Sequence, residues 1–321
     1  YANGDSAFEN IKSLKPGEII EVSLKPEILS RCQNFTQTHM KVSRKYPKRD
    51  INLVDKVLKE SISYRLISDV PISFLLSGGV DSSLISSIAS EMQNKKISTY
   101  YLGYKDKPDD FQDLADYVSK LINSDHHTNL IPSIDFEKTI PKLLETFDEP
   151  FADYSSIPSL EIYKIIGKKN KVAISGDGAD EIFGGYKDSK LFYLSYLLPS
   201  FLIKKINLLN LIYPLLSLNN KYLSFFVYGI MTIFANDGIT NLATNRGGWN
   251  NYHRKKFMTK EGYELTGGNK TEVKEFKEFI DSGKNSLERY LNYDQKRLSY
   301  DFLVKVDRSS MANSLEVRCP Y

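Results

Sequence analysis

Cysteine, histidine and tryptophan are nearly absent from this chain, at two, four and one among 321 residues. Cys32 and Cys319 lie far apart and without a metal-ligand spacing, so they offer neither a disulfide framework nor a thiolate site, and they fit buried or indifferent thiols in a reducing cytoplasm. Charge of one sign is lacking too: 43 basic against 40 acidic residues leave a net +3, which excludes the general basic field that a nucleic-acid partner would need. No signal-peptide pattern is visible. The apolar segment Leu191 to Ala235 is cut by Lys204, Lys205 and Lys221 into windows of roughly 13 to 15 residues, short of the ~20 that span a bilayer. Helices buried in the protein or facing a partner follow, and no membrane span. The length suffices for one large or two ordinary domains with a sizeable core.

What the chain does have is the stretch Pro71 to Ser83, PISFLLSGGVDSS. Ile72, Phe74, Leu75 and Leu76 form a short, nearly continuous apolar run, the pattern of a strand covered on both faces by helices. At Gly78 and Gly79 the backbone can take positive φ and bring its N–H groups close to an anion. From Asp81, with Ser82 and Ser83, a helix begins whose unpaired N–H groups and positive dipole end point at the same place. Asp81 puts a negative charge where a phosphate would sit, which makes sense if it holds a magnesium ion bridging to phosphate oxygens. A glycine turn with a capping aspartate is the plainer alternative. A Walker A loop is excluded, because no Gly-Lys-Ser/Thr follows at the required spacing.

Around this loop the chain alternates. Ile51, Val54, Leu58, Ile62 and Leu66 recur at helical spacing and predict a helix packed on the coming sheet, ended by Asp69-Val70-Pro71. Ile97 to Gly103 reads as a strand, Asp110 to Ile122 as a helix, and His126 to Ile131 as a further extended stretch, which together imply a parallel sheet with right-handed crossovers. Ligands in such sheets sit at the carboxyl ends of the strands, where Leu76 and Leu102 fall. Adjacent His126 and His127 point to opposite faces of a strand and cannot readily chelate one ion, so structural hydrogen bonding stands against a catalytic role. The acids of Asp148-Glu149-Pro150-Phe151-Ala152-Asp153-Tyr154-Ser155-Ser156 either solvate a loop or line a site.

A second strand-and-glycine turn follows: Lys171 to Ser175, then Gly176-Asp177-Gly178-Ala179-Asp180-Glu181 with Gly184-Gly185-Tyr186 behind. Three carboxylates within five residues would repel one another without a cation or buried donors nearby; an acidic surface turn is the alternative. Lys187 to about Lys270 carries no usable motif and predicts an inserted helical subdomain. Leu287 to Leu303 reads as helix, and then comes KVDRSSMANSLEVRCP, residues 305–320. Its Asp307, Arg308, Glu316 and Arg318 form either a structural ion-pair network or, through arginine, a bidentate hold on a substrate carboxylate.

SGGVDSS resembles the pyrophosphate-binding loop of ATP pyrophosphatases, which cleave ATP between the α and β phosphates. With SGDGADEIFGGY at 175–186 and the motif at 305–320, the chain resembles the asparagine synthetase family in particular. That resemblance implies an α/β fold, a parallel sheet flanked by helices of the adenine nucleotide alpha hydrolase-like, ATP pyrophosphatase type, with an added helical subdomain. It implies that Ser77, Gly78, Gly79, Asp81, Ser82 and Ser83 bind ATP and pyrophosphate, that Ser175 and Gly176 touch the nucleotide, and that Leu76 and Leu102 lie beside the adenine. Asp81 and Asp180 are implied as magnesium ligands, and Asp177, Glu181 and Arg318 as the catalytic groups. Asp177 stands where many asparagine synthetases have glutamate, keeping the charge and shortening the reach.

YANGDSAFENIKSLKPGEIIEV, residues 1–22, contains Ile11-Lys12-Ser13-Leu14-Lys15-Pro16-Gly17 and resembles the closing stretch of the glutaminase domain of class II glutamine amidotransferases. The organisation expected is then a glutaminase tail over 1–23, a basic linker over 24–50, and a synthetase domain over 51–321 with a helical insertion at about 187–285. The chain reads as a fragment cut at both ends, with the glutaminase nucleophile and a C-terminal pyrophosphate-contacting lysine outside it. The implied reaction is ATP-dependent amidation of a small-molecule carboxylate, L-aspartate first, through an acyl-adenylate, with nitrogen from glutamine or ammonia. The resemblance allows a homodimer in the cytoplasm. Two rival readings stand beside it: an amidotransferase of the same fold acting on a sugar acid, a peptide or another metabolite, and a non-catalytic scaffold.

Overall fold

The computed structural model describes residues 6–14, 18–19, 21–22, 28–29, 50–106, 110–197, 257–265 and 283–321. The chain divides into two compact units, one of 6–12, 45–179 and 298–321, the other of 1–5, 13–44 and 180–297. In the second, strands β1 (Glu21–Val22) and β2 (Ile28–Leu29) pair antiparallel. Of the expected strand Glu18–Val22, the described residues show strand at Glu21–Val22, and the expected linker contains β2. Cys32 and most of the basic stretch lie outside the described residues.

The first unit is organised by its sheet. Helix α1 (Asp50–Arg65) leads to β3 (Ile72–Leu75), α2 (Val80–Met92), β4 (Ser98–Tyr104), α3 (Asp110–Leu121) and β5 (Asp125–Ile131). Helices α4 (Phe136–Phe147) and α5 (Ser156–Gly167) precede β6 (Val172–Ile174). The five strands of the sheet run in the order β5-β4-β3-β6-β7, the last being Glu316–Arg318, and every neighbouring pair is parallel. The α/β fold with helices on both faces is therefore as the apolar runs and their spacing predict.

Alternation along the strands sends successive side chains to opposite faces. Phe74 joins Leu58 and Ile62 of α1, Ile85, Ile88 and Ala89 of α2, and Ile174 of β6. Leu76, Tyr101 and Ala115 form a small cluster beside α3. Tyr100 and Ala173 pack instead with Ile162, Tyr163 and Ile166 of α5, and with Val306 and Leu315. One expectation is corrected here. Only the second half of the α1 stripe packs on the sheet, because Ile51 and Val54 are 76% and 43% exposed.

Strand order explains where a ligand would bind. From β3 the chain steps through β4 to β5 on one side, and β6 and β7 then add on the other, so the direction of winding reverses between β3 and β6. At such a reversal the loops leaving the two strands diverge to opposite faces and open a crevice. The two glycine-rich stretches leave these two strands.

Two elements have no counterpart in the sequence reading. Helix α4 begins where the Asp135 side chain accepts the Lys138 N–H, and it ends at Asp148 with φ +61°. The last motif splits between a helix and the fifth strand, β7. In the second unit, α6 (Ala179–Phe183) lies mostly there, followed by α7 (Lys187–Leu197), α8 (Lys260–Leu265) and α9 (Ser286–Arg297). Phe192 of α7 stacks on Tyr290 of α9 with centroids 4.7 Å apart. Most of the expected insertion at 187–285 lies outside the described residues. A π-helical turn, Leu298–Phe302, leads into α10 (Leu303–Met311) of the first unit. Among the described residues no helix is long and apolar enough to cross a membrane.

Candidate active site

The first loop is held by its own serines. Ser82 Oγ accepts the Ser77 N–H at 3.1 Å, lies 2.9 Å from Ser77 Oγ and donates to Gly79 O at 3.2 Å, while Gly79 N–H donates to Ser77 Oγ. Gly78 takes φ +78°, and a Cβ there would lie 2.4 Å from the carbonyl oxygen of Phe111 in α3. Only glycine fits so close a backbone approach. Gly79 differs from the sequence expectation: it is the N-cap of α2 in ordinary extended geometry, φ −70°. No side chain caps α2, which leaves its first N–H groups to other partners. Ser83 Oγ is buried and has no hydrogen-bond partner among the described residues.

Asp81 stands in the first turn of α2. Burial pushes its carboxyl above the usual carboxylate range, because desolvation disfavours the charge. Its main-chain oxygen accepts from Tyr321 Oη, a hydroxyl pushed up to about 12 by burial and then by the Asp81 charge, so Tyr321 stays a donor.

The second loop meets the first. A Cβ on Gly176 would lie 3.0 Å from Ser82 N and 3.4 Å from Asp81 C, so the two backbones touch where β3 and β6 deliver them. Ser175 N–H donates to Arg318 O at 3.0 Å, continuing the ladder to β7. Ser175 Oγ donates to Asp177 Oδ2. Lys305 Nζ, from α10, reaches Asp177 Oδ1 at 3.2 Å and Ser155 Oγ at 3.2 Å, with Asp153 Oδ2 at 4.0 Å. Ser155 in turn donates both its N–H and its hydroxyl to Asp153 Oδ1. The stretch 148–156 therefore contributes Asp153 and Ser155 to the same cluster as Asp177.

Within the first unit the structure brings together Ser77, Gly78, Gly79, Asp81, Ser82, Ser83, Ser175, Gly176 and Asp177. Leu76 and Leu102 both neighbour the strand ends, but Leu76 is fully buried against Tyr101 and Ala115 while Leu102 packs with the cluster on α5. Asp180 and Glu181 belong to the second unit. There Glu181 is 2% exposed, accepts from Tyr186 Oη and is pushed up by burial; a Cβ on Gly185 would run into the Asp180 carboxylate.

Arg318, expected among the catalytic groups, donates from Nη1 to Arg65 O at 2.8 Å and Ile67 O at 2.7 Å, and its Nε pairs with Glu316 at 2.6 Å, so these donors serve the end of α1. Arg308 does the same for α4, donating to Phe147 O and to Asp148 Oδ2. Orphaned helix-end carbonyls need donors, and arginine supplies them with the favourable sign of charge. Of the four charged residues of the motif, Arg318 and Glu316 pair with each other, and Arg308 pairs with Asp148 outside it.

His126 and His127 lie at the amino end of β5, at the opposite end of the sheet from the loops. Thr99 Oγ1 is 2.8 Å from His126 Nδ1, and Asp116 Oδ1 is 3.3 Å from Nε2 without hydrogen-bond geometry. His127 lies on the other face beside the Tyr100 ring. Lys305 is what the sequence reading missed. The signal was the first letter of the last motif, a lysine surrounded by apolar residues.

The family model described as Asparagine synthase matches residues 53–321. A putative asparagine synthetase [glutamine-hydrolyzing] 2 from Methanocaldococcus jannaschii is 36% identical over 135 residues, covering 41% of this chain and 25% of the relative. Asparagine synthetase [glutamine-hydrolyzing] 1 from Bacillus subtilis is 28% identical over 177 residues, 55% of this chain and 28% of the relative. The enzyme of that name from Zea mays is 35% identical over 142 residues, 41% of this chain and 24% of the relative. The matches thus span about a quarter of the length of these curated relatives. Among solved structures, an NH3-dependent NAD synthetase from Campylobacter jejuni matches 42% of this chain and 60% of its own at 13% identity, with a TM-score of 0.30. Two glycine loops meeting at the winding reversal of a parallel sheet, read together with a family match across residues 53–321, lead to one conclusion: the chain belongs to the asparagine synthase family.

Proposed function

We propose that this chain carries the synthetase site of a carbon–nitrogen ligase that activates a carboxylate with ATP, releases pyrophosphate, and lets ammonia displace AMP to give an amide. The observation that carries this reading is the contact of Gly176 with Ser82 and Asp81, which sets two loops around one crevice at the carboxyl ends of adjacent parallel strands. The uncapped start of α2 and the unpartnered Ser83 hydroxyl supply donors for an anion there. N–H groups already aimed at a departing pyrophosphate need no reorganisation as its charge develops, which is how a site of this kind lowers a barrier. Holding the acceptor carboxylate in line with the α-phosphate supplies much of the rest.

Magnesium belongs to this proposal. Asp81 fits it, as a hard oxygen donor partly withdrawn from water that makes no ion pair among the described residues. Bound there, the ion would neutralise phosphate charge, as carboxylate-held magnesium does at phosphate-transfer sites. The second carboxylate assigned to it, Asp180, lies in the other unit. L-aspartate as acceptor, glutamine as the nitrogen source in the whole protein, and a cytoplasmic location complete the reading, by kinship with the named relatives and from cysteine usage.

The test uses the full-length protein with ATP, magnesium, ammonium and either L-aspartate or a panel of other carboxylates. AMP, pyrophosphate and asparagine from aspartate are expected. AMP with another acid alone would refute aspartate as acceptor and keep the chemistry; no AMP with any acid would refute the reading.

A further inference from the structure

We infer that Lys305 is a positioning residue for this chemistry, fixing Asp177 at the end of β6 against Ser155 at the start of α5. The inference rests on the amidation reading above and adds to it a residue that acts through others.

Lys305 is 7% exposed, one turn before the buried Ser309 on the same face of α10. Its ammonium joins three segments remote in sequence, reaching Asp177 Oδ1 and Ser155 Oγ at 3.2 Å each and lying 4.0 Å from Asp153. The Phe302 ring centroid is 5.9 Å away. A buried ion pair is a weak device for stability, since desolvating both charges offsets most of their attraction. It is an effective device for direction. Asp177 has both oxygens engaged, Oδ2 by Ser175 Oγ and Oδ1 by Lys305, so its carboxylate plane is fixed. Ser175 and Gly176 then carry that constraint to the backbone of Ser82. Without the cation, Asp177 and Asp153 would face the same small volume as two unneutralised carboxylates.

The other ionisable groups facing this cluster do not compete for the role. Burial first, and the Asp177 charge second, push the Tyr163 hydroxyl far above its ordinary range and the Cys319 thiol up to about 12, so both stay neutral. Arg65, the remaining cation that acts on Cys319, is turned to the Ser61 carbonyl in α1.

The test compares wild type, Lys305→Met and Lys305→Arg in the full-length protein, using the acceptor that yields AMP in the panel. Lys305→Met is expected to lose about a hundredfold in kcat, the scale of a misplaced reacting group, with the KM for ATP within about threefold. Lys305→Arg should recover kcat to within about tenfold of wild type. A Met variant with wild-type kcat, or one whose loss falls on the KM for ATP with kcat kept, would overturn the inference. If Lys305→Met does not fold, Lys305→Arg decides: lowered kcat with an unchanged KM for ATP supports positioning, and full kcat with a raised KM for ATP overturns it. Wild-type protein silent with every acid would overturn the amidation reading and this inference with it; active wild type beside an equally active Met variant would overturn the inference alone.

Discussion

Gly78→Ala and Gly79→Ala are chemically the same substitution one residue apart, and the structure predicts opposite outcomes. At Gly78 a methyl group would lie 2.4 Å from Phe111 O, 3.0 Å from Ala115 N and 3.0 Å from Leu114 Cβ, and the backbone is left-handed at φ +78°. The conformation costs an L-residue roughly 1–2 kcal/mol. Forcing α3 and the loop apart adds roughly 1–3 kcal/mol, since two of the three atoms are helix backbone and cannot rotate away. Alanine recovers about 0.4–1 kcal/mol by restricting the unfolded chain. The net is a loss of about 1–5 kcal/mol. At Gly79 the nearest atom is Ser77 Oγ at 3.3 Å, the end of a side chain that can turn, and φ is −70°. There the cost of alanine at an N-cap, about 1 kcal/mol, is largely offset by the same unfolded-state term. At about 2–4 °C per kcal/mol for a unit of this size, Gly78→Ala should melt roughly 2–20 °C below wild type and Gly79→Ala within about 2 °C of it. Thermal denaturation followed by circular dichroism, both variants in parallel, is the assay. Equal melting temperatures for the two variants, or a greater loss at Gly79, would refute the packing of this loop on α3.

Three further outcomes follow from the geometry. Arg318→Met strips donors from the Arg65 and Ile67 carbonyls, so it should cost about 1.5–3 kcal/mol in chemical denaturation and leave the acceptor KM unchanged; a large KM increase at unchanged stability would return Arg318 to the substrate. Asp81→Asn should abolish AMP release while the melting temperature holds or rises at neutral pH, because burial disfavours the charge being removed; wild-type AMP release would sink the magnesium assignment. Burial, opposed by Asp116 and aided by His127, holds His126 below its ordinary value, so the folded state favours the neutral ring. The stability it contributes is complete above about pH 6.5, the unfolded value, and is lost as pH falls through the lower folded value. Melting curves between pH 8 and 5 should show that loss in wild type and a smaller one in His126→Asn; identical slopes would refute it.

The fold class was legible in local sequence patterns, and so was the position of the first glycine turn between β3 and α2. A four-residue apolar strand, then Ser-Gly-Gly and a polar helix start, leaves few other conformations, and the second copy at 171–181 implied a shared site. Periodicity reports which residues are apolar and says nothing of how much partner each will find, so the α1 stripe was over-read at Ile51 and Val54. Helix α4 was missed because its cap at Asp135 and its left-handed stop at Asp148 are single polar residues without glycine.

Charged side chains were decided by tertiary structure alone. An arginine in a motif is equally suited to a substrate carboxylate and to helix-end carbonyls, and only the arrival of β7 beside β6 directs Arg318 to the end of α1. Lys305 acquires its meaning the same way, since Asp153, Ser155 and Asp177 become neighbours only when α5 and α10 cover the same face of the sheet. Electrostatic partners act over a few ångströms in space, whatever their separation along the chain, and folding alone sets that distance.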